Sequence, residues 1–114
     1  MTTKKELQKK IEHLGAFEER VSVRIENISI KLTEYDRIEI FFELYSTTDD
    51  NKLKQETKVN VVFYDNDEKI LDYNSTFIDP SDFWGFAVDY VRMNTYSHET
   101  DKISKIRIYP TICG

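Results

Sequence analysis

Apolar residues recur along this chain with two different periods. Near the start, Thr3-Lys4-Lys5-Glu6 has the form of a capping box, and Leu7, Ile11 and Leu14 follow at helical spacing before Gly15, a natural C-cap. The pattern predicts one short amphipathic helix over residues 3–15. Its apolar stripe is too narrow to hold a helix in water, so it must dock, either on its own domain or on a second subunit or partner.

After Gly15 the period falls to two. Val21, Val23 and Ile25 are odd-numbered, whereas Ile28, Ile30 and Leu32 are even-numbered. A β-bulge or a bend around Glu26-Asn27 would return both sets to one core face. Ile38, Ile40, Phe42 and Leu44 alternate with Arg37, Glu39 and Glu43 as a strand with one wet face, and Thr47 to Asn51 ends it as a polar loop. Val59, Val61 and Phe63 form a further strand, Asp65 to Lys69 a turn, and Ile70 to Ile78 its hairpin partner. Asp79-Pro80-Ser81-Asp82 signals a short helical turn, with an Asp cap and a proline at the first position. Phe83-Trp84-Gly85 leads into Phe86, Val88 and Tyr90, alternating with Ala87 and Asp89. A polar turn over His98 to Lys102 and a last strand from Ile103 to Tyr109, stopped by Pro110, complete the chain. No helix between strands is long enough for a parallel crossover, so the pattern predicts an all-β fold. The expected architecture is a single domain over residues 1–114, an antiparallel sandwich of six or seven strands at 20–110 with one short N-terminal helix.

Composition agrees with an ordered globule. The 114 residues fit one domain, and 39% hydrophobic with 13% aromatic is too apolar for disorder. With 16 basic against 21 acidic residues the formal net charge is −5, which disfavours nucleic acid and anionic membrane surfaces as partners. The single cysteine, Cys113, excludes an intrachain disulfide and a multi-cysteine metal site. Without an apolar stretch behind the N-terminal lysines or a run long enough for a membrane span, a cytoplasmic setting is expected.

Residues able to carry chemistry are few. His13, on the predicted helix, and His98, in a turn, belong to no metal-binding spacing and are expected on the surface. Asp65-Asn66-Asp67 begins like a calcium loop. The sixth position, however, is Ile70 where glycine is required, and the twelfth is Thr76 where glutamate is required. These residues serve better as turn formers. Glycines stand alone at 15, 85 and 114, so there is no phosphate loop. No catalytic residue, metal site or cofactor is expected. Lys52, Lys54 and Lys58 suit a solvated strand edge. What remains is aromatic: Phe83 and Trp84, beside a turn at the end of a sandwich, are the candidate binding residues, as anchors for a protein or as a stacking platform for a sugar. The alternative for Trp84 is a lid closing the core.

Phe42-Glu43-Leu44-Tyr45-Ser46 fits four of the five letters of a Phe-x-Leu-Tyr-Asp signature, and Val61-Val62-Phe63-Tyr64-Asp65 fits its Tyr-Asp end. The run Tyr64 to Ile70 with Thr76 to Pro80 looks like the strand, turn, strand and loop that accompany it. From about Val21 to Tyr109 the chain therefore resembles the FxLYD-type domains, small immunoglobulin-like bacterial β-sandwiches. Ser46 stands where the motif has Asp. The resemblance implies a non-enzymatic domain, of bacterial origin, with no catalytic residues to transfer. The expected function is that of a protein-interaction or structural module, with an unidentified protein partner and self-association open. A carbohydrate-binding module is the first alternative and a small enzyme using surface carboxylates the second.

Overall fold

The computed structural model describes residues 4–53 and 55–112. Thr3 of the capping box, Lys54 and Cys113 lie outside the described residues. The elements in order are α1 (Lys4–Lys9), β1 (Ile11–His13), α2 (Gly15–Val21), β2 (Val23–Leu32), β3 (Arg37–Ser46), β4 (Thr57–Tyr64), β5 (Ile70–Ile78), β6 (Phe86–Tyr96) and β7 (Lys105–Ile112). Short 3-10 turns at Pro80–Asp82 and Ser97–Lys102 flank β6.

Among the described residues seven strands form two sheets, ordered β1-β7-β4-β5 and β2-β3-β6. All neighbours are antiparallel except β1 on β7. The chain crosses between sheets after β1, after β3, after β5 and after β6, which makes the fold a β-sandwich. In an immunoglobulin domain β2, β3 and β6 would stand as strands A, B and E, and β4 and β7 as C and F, with β5 beside β4 in the place of C′. The alternating residues of β3 and β4 form the centre of the core: Ile38, Ile40, Leu44, Val59, Val61 and Phe63 are all fully buried. They meet Ile106 and Ile108 of β7 and Val91 and Met93 of β6.

The parity slip in β2 is taken up by a bulge. The register with β3 shifts between Glu26 and Ser29, and Asn27 takes a left-handed φ of 50°. Val23 and Ile25 before it and Ile28 and Ile30 after it all face the core. The hairpin turn also follows expectation: Asp65 Oδ1 accepts from Asp67 N–H at 2.9 Å and Lys69 N–H at 3.0 Å. The left-handed residue there is Glu68.

Several boundaries differ from the sequence reading. The N-terminal helix ends at Lys9, because Ile11 to His13 pairs with Ile106 to Ile108 of β7. A short, weak helix yields to strand pairing that satisfies its backbone. His13 therefore lies on a strand, exposed, and Gly15 opens α2 rather than closing α1. Val21 ends α2, whose left-handed cap Ser22 (φ 60°) turns the chain into β2. Pro110 does not stop β7, which runs through it to Ile112. Proline is tolerated because β1 ends opposite Ile108, so no neighbour on that side needs its missing N–H.

Both seams between the sheets are closed by side chains acting on backbone. Along β2, Gln8 Nε2 donates to Ile28 O, and Ile25 N–H donates to Glu18 Oε1 at 2.6 Å. Along β6 the work falls to the inward residues of β5. Asp72 Oδ2 accepts from Asn94 N–H (2.8 Å), Thr95 N–H (2.8 Å) and Thr95 Oγ1 (2.7 Å), and Asn74 Nδ2 donates to Arg92 O at 2.7 Å. Asp72 is buried, and these donors replace its water.

Candidate functional site

The two residues singled out by sequence lie side by side and face opposite ways. Asp79 starts the turn, its Oδ1 accepting from Ser81 N–H at 2.9 Å and Ser81 Oγ at 2.8 Å. Those bonds hold the Asp79 carboxyl below its ordinary value. The turn drives Phe83 into the core, where it is 5% exposed, and leaves Trp84 87% exposed. Gly85 follows with φ +96°, a backbone that side-chain-bearing residues rarely adopt, and its carbonyl accepts from Ser46 N–H at 3.3 Å as β6 begins. Trp84 is thus no lid on the sandwich.

Trp84 and Phe83 line an open cavity of about 620 Å³ with Pro80 and, from the loop after β3, Asn51, Lys52 and Leu53. That loop has its own scaffold. Asp50 Oδ1 accepts from Thr48 Oγ1 at 2.7 Å and from Lys52 N–H at 3.1 Å. The Thr48 bond is the main reason the Asp50 carboxyl sits below its ordinary range.

The larger feature was not anticipated. Phe86, Val88 and Tyr90 point outward, at 48%, 61% and 40% exposure, while Val91 and Met93 take the core positions of β6. The alternation that marks these three as one side of a strand does not say which side, and here it is the wet one. Across the sheet they meet the outward residues of β3 and β2 in rows: Phe86 with Tyr45 and Arg24, Val88 with Glu43 and Glu26, Tyr90 with Phe41, and Arg92 with Glu39 and Lys31.

The rings stack in cross-strand pairs, Tyr45 on Phe86 at 5.5 Å between centroids and Phe41 on Tyr90 at 5.2 Å. Cations lie over them: Arg24 is 5.3 Å from the Tyr45 ring and Lys31 is 4.6 Å from that of Phe41. Arg92 binds the Glu39 carboxylate through Nε (3.0 Å) and Nη2 (2.9 Å). Partial loss of water, then the nearby Glu43 and Glu26 carboxylates, raise the Tyr45 hydroxyl above its ordinary value, with Arg24 opposing. Glu43 and Glu26 are direct cross-strand neighbours of like charge in the middle of this face.

The other sheet's outer face is built differently. Tyr73 Oη donates to Asn60 Oδ1 at 2.9 Å, and Asn60 Nδ2 donates to Tyr109 O at 3.2 Å. Phe17 of α2 covers the Tyr109 ring at 5.0 Å. Burial raises the Tyr109 hydroxyl above its ordinary value.

Of the remaining candidates, His98 is exposed and stacks on Tyr96 at 5.5 Å. Among the described residues no group of three or more His, Cys, Asp or Glu is placed to hold a metal ion. Nor is any helix there long and apolar enough to cross a membrane. Comparison with protein-family models, curated proteins and solved structures returns no match for this chain.

Proposed function

We propose that this chain is a non-enzymatic β-sandwich that binds another protein through the outer face of β2-β3-β6, with Trp84 at one end. The observation that carries the reading is the row of Phe86, Val88 and Tyr90 held in water on a rigid sheet, where contiguous apolar surface marks contact sites. Aromatic anchors ringed by charged groups are the usual anatomy of such a contact. The resemblance to FxLYD-type domains and a bacterial, cytoplasmic setting belong to the same reading. It needs no catalytic residue and no cofactor, and nucleic acid and membrane are not its partners.

A sugar platform is the weaker alternative. Sugars stack on open ring faces, and four of the rings here already present faces to each other or to cations. The most open rings among the described residues, Trp84 at 87% and Tyr35 at 78% exposure, stand apart from that cluster.

The test is affinity capture from native lysate, followed by calorimetric titration of each purified candidate with the wild type and with W84A and V88E. A protein whose affinity falls about tenfold or more with V88E supports the assignment. A set of partners unaffected by either substitution removes it.

A further inference from the structure

Resting on the reading of this face as a contact surface, the arrangement of its residues points to one occupant. We propose that the partner is a second copy of this chain, docked symmetrically through the outward column of β6. Read along the strand, that column is Phe86, Val88, Tyr90, Arg92. Turn a copy about a two-fold axis that crosses the strand between Val88 and Tyr90, and Val88 falls on the copy's Tyr90 while Arg92 falls on the copy's Phe86. Each contact then occurs twice, as an isologous interface requires. The guanidinium is held in place by Glu39 and lies 5.9 Å from the Tyr90 ring of its own chain, and with the Arg92 side chain 59% exposed its outer face is open to a second ring. A cation over a ring is also what this face already builds within one chain, at Arg24 on Tyr45 and Lys31 on Phe41.

Charge favours the same approach. Four cations (Arg24, Lys31, Arg37 and Arg92) and three acids (Glu26, Glu39 and Glu43) stand on the outward positions of this sheet, whereas the whole chain carries −5. The acidic excess lies elsewhere, in turns such as 47–53, 65–69 and 79–82. Two copies meeting on this face therefore avoid the repulsion that the whole-chain charge would give.

Size sets the strength. At ~200 Å² for a fully exposed aromatic side chain, the open fractions of Phe86, Tyr90 and Tyr96 together with Val88 leave roughly 300 Å² of apolar surface. That is the core of a contact rather than the whole of one, since a standard interface covers about 800 Å² on each partner. The rim of Arg24, Lys31, Glu43 and Arg92 supplies the rest, and the product is a weak, reversible dimer.

Sedimentation equilibrium of the full chain, from low micromolar to near-millimolar concentration, tests this. The expected result is a mass that rises reversibly from 13.6 kDa toward twice that value. V88E, checked for native folding by circular dichroism, weakens the association about tenfold or more, because it sets a carboxylate against Tyr90 of the other copy at both symmetric contacts. F77S, at an exposed position on the outer face of the other sheet, leaves it unchanged. A monomer at every concentration overturns the proposal, as does a dimer that V88E leaves intact. The protein-binding reading is judged separately by its own capture and titration, so a failure of the dimer leaves that reading standing and the two failures are distinguishable.

Discussion

In β2 the apolar positions change parity between Ile25 and Ile28, and in β6 they change between Tyr90 and Val91. The first change is absorbed by a bulge, and all four isoleucines and valines around it are buried. The second is not: β6 keeps an unbroken register against β3 from Phe86 to Arg92, so Phe86, Val88 and Tyr90 stay in water. Two physical differences separate the strands. At the step in β2 stands Asn27, a residue that accepts left-handed backbone at small cost, whereas Tyr90 and Val91 do not. And β6 is pinned from its open side by Asp72 and Asn74, whose bonds to Arg92, Asn94 and Thr95 fix the second half of the strand with Val91 and Met93 inward. A parity slip therefore means a restored core where a bulge-former occupies it. Elsewhere it leaves apolar side chains in water.

Removing the bulge should have the largest effect. Deleting Asn27 forces either Val23 and Ile25 or Ile28 and Ile30 out of the core, and at about 2 kcal/mol for each aliphatic side chain the loss is roughly 4 kcal/mol or more. Urea titration checks this, and a variant as stable as the wild type would show that the core does not depend on the bulge. Next is the pin on β6. Asp72→Ala leaves the Asn94 and Thr95 donors without their acceptor and is expected to cost about 3 kcal/mol in the same assay. Substitutions at position 27 sharpen the argument: Asn27→Ala should cost about 1 kcal/mol, and Asn27→Gly much less, because only glycine adopts φ 50° freely. Val88→Thr, on the exposed face, should change stability by about 0.5 kcal/mol or less.

The smallest effect concerns the rim of the Trp84 cavity. The Asp50 carboxyl is held below its ordinary value of 3.8, so the order it lends its loop is present above that value and is lost as pH falls through the lowered one. A change in Trp84 fluorescence confined to the acid limb, and reduced in Asp50→Asn to the part contributed by Asp79, checks it.

Much of this was legible in the residues themselves. Alternation located β2 to β7 and the parity slip that becomes the bulge, and turn-forming residues located the Asp65 to Lys69 turn, because each depends on neighbours in sequence. The end of α1 was not legible: Ile11 to His13 becomes a strand because of β7, which is distant in the chain. The role of Asp72 was hidden for the same reason, although Asp72, Asn74 and Thr76 on one parity of β5 were a clue that this edge faces something polar. Sequence led to Phe83 and Trp84 together, and a tight turn separated them. The outward column of β6 was readable as a strand but not as a surface, since a period of two is blind to which side is wet.

Thiol accessibility measures that side directly. With Cys113 replaced by Ser, the chain can carry one cysteine at a time, V88C or M93C, and each can be timed against a thiol reagent under native conditions. The structure predicts that V88C reacts as a free thiol does and that M93C reacts only on unfolding. A protected V88C with a reactive M93C would place the other face of β6 in water and contradict the account.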